Sequence, residues 1–274
     1  MYLYLNKPVI PKEHGAWPVL IVPMIAGSLA VAPDPSFSPG AMAALIISAV
    51  SGFLTVSALR MALNPPPKAN MRRLVTWTCL YSALSMGPFA WLVLGAGKGG
   101  LLWFIIPAAL LTSAYFWSTS AGIKRSLPFE LAGLAGLTLS GPAAAYLQQG
   151  YVPADGALIY IFCLVWFTDR TLTARKTLEL MRKQGWPSGA RDRLRLFSFE
   201  YGAHAIGIAI AALVIVFSGR EGGWTMIIPL LAATAKNAWD TLVLAAPTDP
   251  MKVGFSEMRL GIGFCALFVL VWKL

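Results

Sequence analysis

Nine apolar runs, at residues 17–33, 41–63, 74–96, 100–121, 127–147, 155–172, 199–218, 223–245 and 258–272, alternate with short polar gaps. A bilayer core of about 30 Å is crossed by about 20 helical residues rising about 1.5 Å each, so most of these runs can span it. The gaps alternate in charge. Those around residues 64–73, before Lys124, across Arg170–Arg195 and before Arg259 are basic, whereas Pro33–Gly40, Gly95–Gly100, Gln148–Pro153 and Gly219–Gly223 are nearly uncharged. Of the 22 lysines and arginines, only Lys98, Arg220 and Lys273 fall on the sparse side. Lysine and arginine accumulate on the cytoplasmic side of membrane proteins, which predicts a cytoplasmic N-terminus, nine spans and an outer C-terminus. The fold class expected is an all-α polytopic bundle forming one integral membrane domain over residues 1–274, in the inner membrane of a bacterium.

Composition agrees: 57% of the residues are hydrophobic and 12% charged, against about 25% charged in soluble chains. The net charge of +10 belongs to the rim of the bundle, so membrane lipids rather than nucleic acid are the expected partners. Cys79, Cys163 and Cys265 lie inside apolar runs without metal-like or disulfide-framework spacing. Pro8, Pro11 and Glu13 interrupt the N-terminal apolar patch and no small-residue cleavage site follows, so it does not read as a cleaved signal peptide.

Chemistry is expected at the basic end. Lys12, Glu13 and His14 precede the first run; Arg60 and Asn64 end the second; Lys124 and Arg125 lead to Glu130; Asp169 and Arg170 are followed by Arg175 and, one run later, by Glu200 and His204. Five helix N-termini would also face this side, and their partial positive charge suits phosphate or diphosphate. Lys236 would stand about 13 Å inside the membrane by helical rise, with Asp240 one turn along the same face. A charge at that depth must pair or line a wet cavity. The only two histidines, His14 and His204, are candidates for proton transfer together with Glu13 and Asp169. Glu200 and His204 are one turn apart, a spacing that can ligate a metal, but a hydrogen-bonded network or proton relay fits the pattern better, and no metal site is expected.

The run Pro11-Lys12-Glu13-His14-Gly15-Ala16-Trp17 with Pro23 and Gly27, then Glu130-Leu131-Ala132-Gly133 with Gly141-Pro142, then Lys252-Val253-Gly254 with Glu257 resembles the YwiC-like family of bacterial membrane proteins. More distantly the chain resembles the UbiA superfamily of intramembrane prenyltransferases. That resemblance implies nine helices and a cavity opening to the cytoplasm. It also implies acidic motifs at the inner ends of the second and sixth spans, where paired aspartates hold magnesium against a diphosphate. Here those places carry Arg60 with Asn64, and Asp169 with Arg170. One carboxylate cannot assemble that magnesium cluster, so magnesium is a doubtful cofactor, and arginine forks are the alternative phosphate ligands. The expectation is a protein that binds or modifies a phosphorylated isoprenoid or lipid. Lys12, Arg60, Asn64, Lys124, Arg125, Glu130, Arg170, Arg175, Lys236 and Asp240 would meet the substrate. Two alternatives stay open: an inert lipid- or quinone-binding protein, and a small-solute transporter working through Lys236 and Asp240. The transporter reading lacks the paired, similarly interrupted segments of an inverted repeat.

Overall fold

A computed structural model describes residues 7–11, 16–32, 34–35, 37–65, 69–120, 127–151, 154–183, 185–220, 223–243 and 249–274. The helices are α1 (Ala16–Ala30), α2 (Pro39–Leu63), α3 (Met71–Ala90), α4 (Leu102–Ser120), α5 (Leu127–Thr138), α6 (Ser140–Gln149), α7 (Ala154–Arg182), α8 (Ala190–Leu196), α9 (Ser198–Ser218), α10 (Ile228–Leu242) and α11 (Pro250–Lys273). No strand occurs among the described residues. Among the described residues, five helical stretches are both long and apolar enough to cross a membrane. Large apolar side chains such as Leu94, Trp103, Leu110, Phe217 and Ile262 point outward, as they do where the surrounding solvent is lipid.

Helix boundaries follow local chemistry. Ser38 accepts from Ala41 N and precedes Pro39 at the start of α2, while Asp249 accepts from Met251 N at 2.8 Å before Pro250. A short polar acceptor followed by proline is a strong helix start, because it satisfies an orphan amide and presets φ. The run at 127–147 is divided at Leu139. Pro142 has no N–H for the Thr138 carbonyl, and the break into α5 and α6 follows. α7 continues beyond the apolar run to Arg182; there Glu179 pairs with Lys183 at 2.7 Å, which supports the final turn. The last Trp91–Gly95 turn of the third run is a π-helix after Pro88.

In lipid, apolar burial gives helices little reason to associate, so small residues and interhelical hydrogen bonds carry the packing. The α2–α3 hairpin is tied by two reciprocal bonds, Ser48 Oγ to Ser85 O at 2.8 Å and Ser85 Oγ to Ser48 O at 2.9 Å. α1 crosses α6 so closely that a Cβ on Gly27 would lie 2.0 Å from the Gly141 carbonyl oxygen. Ser140 Oγ donates to Leu20 O and Gln148 Nε2 to Ser28 O, both at 2.8 Å, along the same seam.

α7 is the hub. In its most apolar 18-residue window 56% of residues are buried, against 11% to 22% in the other four long spans. It packs on α5, α6, α9, α10 and α11 and also touches α1. Trp166 of α7 stacks on Phe264 of α11 with ring centroids 4.3 Å apart, and Phe162 packs tilted against Phe268 at 5.7 Å. At the other end of this group Arg220 holds Asp155 at 2.9 Å and donates to the Trp272 carbonyl at 3.1 Å, with its guanidinium 4.3 Å from the Trp272 ring.

Candidate functional site in the α7–α11 bundle

Asp169 and Arg170 sit next to each other on the most enclosed helix and are only 2% and 6% exposed. Burying charges at such depth demands partners, and each residue has them. Arg170 makes a fork-to-fork pair with Glu257 of α11, Nε to Oε2 at 2.7 Å and Nη2 to Oε1 at 2.5 Å. Its Nη1 donates to the side-chain oxygen of Asn237 on α10. The Asn237 amide donates in turn to Asp169 Oδ2 at 2.8 Å. Asp169 Oδ1 lies 3.2 Å from His204 Nδ1 of α9, and His204 Nε2 lies 2.6 Å from Thr234 Oγ1 of α10. Tyr201, one turn before His204, donates to the Asn237 backbone oxygen at 3.2 Å. A continuous polar chain therefore joins α11, α7, α10 and α9.

Beside it lies a cavity of about 150 Å³ between α7, α10 and α11. Arg170, Lys236 and Arg259 bring positive charge to its wall; Trp166, Leu260, Phe264 and Leu267 make the remainder apolar. Lys236 is clasped by Asp240 on the same helix. The cations facing the cavity thus include two held by internal carboxylates, Glu257 and Asp240, which an incoming anion could replace.

The residues singled out in the sequence separate into groups. Asp169, Arg170, His204, Lys236 and Asp240 converge on α7, α9 and α10. Glu130 and Arg175 pair with each other at 2.8 Å between α5 and α7. Arg60 and Asn64 belong to the end of α2, whose main packing partner is α3, and neither lines the cavity. Lys12, Glu13, His14, Lys124 and Arg125 lie outside the described residues. Asn237, Thr234 and Arg259 were not among the sequence candidates, and Glu257 entered only through the family resemblance. A neutral amide or hydroxyl in an apolar helix is a weak signal, because such residues also serve ordinary packing. The stronger signal was the placement of Asn237 between Lys236 and Asp240.

The donor set does not fit a magnesium cluster. Asp169 Oδ2 is taken by Asn237 and Oδ1 faces His204, and the end of α2 presents Arg60 and Asn64 where a second carboxylate pair would be needed. Among the described residues no group of three His, Cys, Asp or Glu side chains converges.

These features define a multi-pass helical membrane protein with a UbiA-like fold. A solved structure of a UbiA homolog from Archaeoglobus fulgidus, bound to Cd2+, superposes with a TM-score of 0.58, covering 94% of this chain and 96% of the other at 13% identity. Within that fold, residues 10–145 match the family described as YwiC-like protein. No curated protein matches the chain.

Proposed function

We propose that the protein binds, and through its buried polar cluster modifies, a phosphorylated isoprenoid or lipid that enters the α7–α10–α11 cavity from the bilayer. The observation that carries this reading is the cavity itself, in which Arg170, Lys236 and Arg259 share one wall with Phe264 and Leu267. A phosphate suits the cations, since guanidinium and ammonium groups bind it through charge-assisted hydrogen bonds. The volume is on the order of that which holds a benzene, so it takes a headgroup or the first isoprene unit and leaves the tail among lipids. Positive charge on the α7–α10–α11 wall replaces magnesium in this reading. The cavity faces the cytoplasmic half by the charge distribution of the loops. The whole-chain likeness in fold to a UbiA homolog supports this reading over small-solute transport.

Native mass spectrometry with lipid extraction on gently purified protein tests it. The wild type should retain a phosphorylated isoprenoid or lipid that Lys236→Gln and Leu267→Trp lose and Arg60→Ala keeps. Tandem spectra of the ligand separate an isoprenoid phosphate from a glycerophospholipid. Wild-type protein carrying no such ligand, or equal retention in all variants, overturns the proposal.

A further inference from the structure

His204 and Asp169 are buried at 3% and 2% exposure, whereas Thr234, which closes the chain on α10, is only partly buried. His204 Nδ1 and Asp169 Oδ1 have no hydrogen-bond partner among the described residues apart from each other's approach at 3.2 Å. His204 therefore has two neighbours, a carboxylate behind and a hydroxyl in front. We propose that Asp169, His204 and Thr234 form a one-proton relay from the α9–α10 seam to the polar cluster around Arg170.

The hydroxyl supplies the argument. A threonine has one hydrogen to give and lone pairs with which to accept. Thr234 Oγ1 stands 3.1 Å from the Leu230 carbonyl and 2.6 Å from His204 Nε2. When its hydrogen goes to Leu230 O, Oγ1 accepts from an Nε2–H. When its hydrogen turns to Nε2, the imidazole carries its own hydrogen on Nδ1, the nitrogen that stands 3.2 Å from Asp169 Oδ1. Both arrangements keep the same heavy-atom positions and differ by one proton. Uptake then needs no movement of the helices. A hydronium ion at the seam gives a proton to Oγ1 as the hydroxyl's original hydrogen passes to Nε2, leaving water outside and an imidazolium beside the Asp169 carboxylate. One hydronium O–H bond breaks as a new one forms at Oγ1, the original Oγ1–H bond breaks as an Nε2–H bond forms, and no other bond changes.

The inner end of the relay is connected. Asp169 Oδ2 accepts from Asn237, whose side-chain oxygen accepts from Arg170, and Arg170 lines the cavity and pairs with Glu257. A proton held at His204 alters the field on that guanidinium. The charged and titratable groups recorded around the relay are Asp169 and Arg170 of α7, Tyr201 of α9, Lys236 and Asp240 of α10, and Glu257 of α11, with Glu200 one turn before His204 on α9. Nothing in this inference requires a ligand in the cavity, so it survives or fails apart from the function proposed above.

The test uses the full chain in nanodiscs, labelled with 15N-histidine, free of a histidine tag and carrying His14→Gln so that His204 alone reports. Exchange of the Nε2 hydrogen with water should slow on the order of tenfold in Thr234→Val, the equivalent of one lost hydrogen bond. Thr234→Ser should restore the wild-type rate. Asp169→Asn should change which ring nitrogen carries the hydrogen of the neutral imidazole. Unchanged exchange in Thr234→Val, or failure of Thr234→Ser to restore it, overturns the relay. If Thr234→Val does not assemble, Thr234→Ala makes the same comparison.

Discussion

Arg170 shows what a single charge costs inside this bundle. Its fork is matched by Glu257, and the side chains are 7% and 18% exposed. Removing one partner of such a pair strands the other, at a cost of about 3–5 kcal/mol, whereas replacing both with apolar groups is often close to neutral. Glu257→Gln should therefore lower the thermal midpoint in detergent sharply, and Arg170→Met with Glu257→Leu should recover much of the loss. Equal midpoints for wild type and Glu257→Gln would show that Asn237 and Asp169 alone balance the guanidinium. The sequence made Asp169, Arg170, His204, Lys236 and Asp240 legible because an ionisable group in an apolar run must be explained. It left Thr234 and Asn237 unread because neutral polar groups are inexpensive in membrane helices, and their role depends on neighbours far away in the chain.

The α1–α6 seam shows how two helices are joined without a large apolar gain. Gly27 has no space for a Cβ against the Gly141 backbone, whereas a Cβ on Gly202 of α9 would meet nothing within 4 Å. Gly27→Ala should thus destabilise by about 1–3 kcal/mol through overpacking. Gly202→Ala should be neutral or gain a few tenths of a kcal/mol from helix propensity, as about 1 kcal/mol separates the two residues at most. Thermal melts of both variants in one detergent decide it; a Gly27→Ala protein as stable as Gly202→Ala would mean the seam can open freely. Periodic apolar runs made the long helices legible, and Pro142 announced the break between α5 and α6. α8 was not legible: seven residues with four charged among them, Arg191, Asp192, Arg193 and Arg195, have no apolar run to reveal them.

Across the bundle as a whole, the charges lie at opposite ends. Lys98 and Arg220 occupy the sparse end with Asp155 and Trp272, and Arg175, Lys176, Lys183 and Arg193 occupy the other. The positive-inside rule then predicts that an impermeant thiol reagent reaches a cysteine at position 98 from outside intact cells and misses one at 183 until the membrane is opened. Labelling of position 183 in sealed cells would reverse the orientation expected from loop charge. The fold resemblance to UbiA was legible from where Arg60 with Asn64, Asp169 with Arg170, and the loop before Glu130 fall among the apolar runs, but the polar chain that crosses four helices was not, since its members are up to 87 residues apart.

That separation has a consequence for synthesis. His204, Asn237 and Glu257, the partners of Asp169 and Arg170, all lie C-terminal to them, Asn237 by 68 residues and Glu257 by 87. A ribosome that has just finished α7 has made an acid and a base whose buried partners do not yet exist, and α11, which carries Glu257, emerges only after α8, α9 and α10. The nascent chain has to keep the middle of α7 near water, or in the shelter of the insertion machinery, until α11 has been made. The helix that becomes the most enclosed in the bundle therefore settles only after α9, α10 and α11 have followed it.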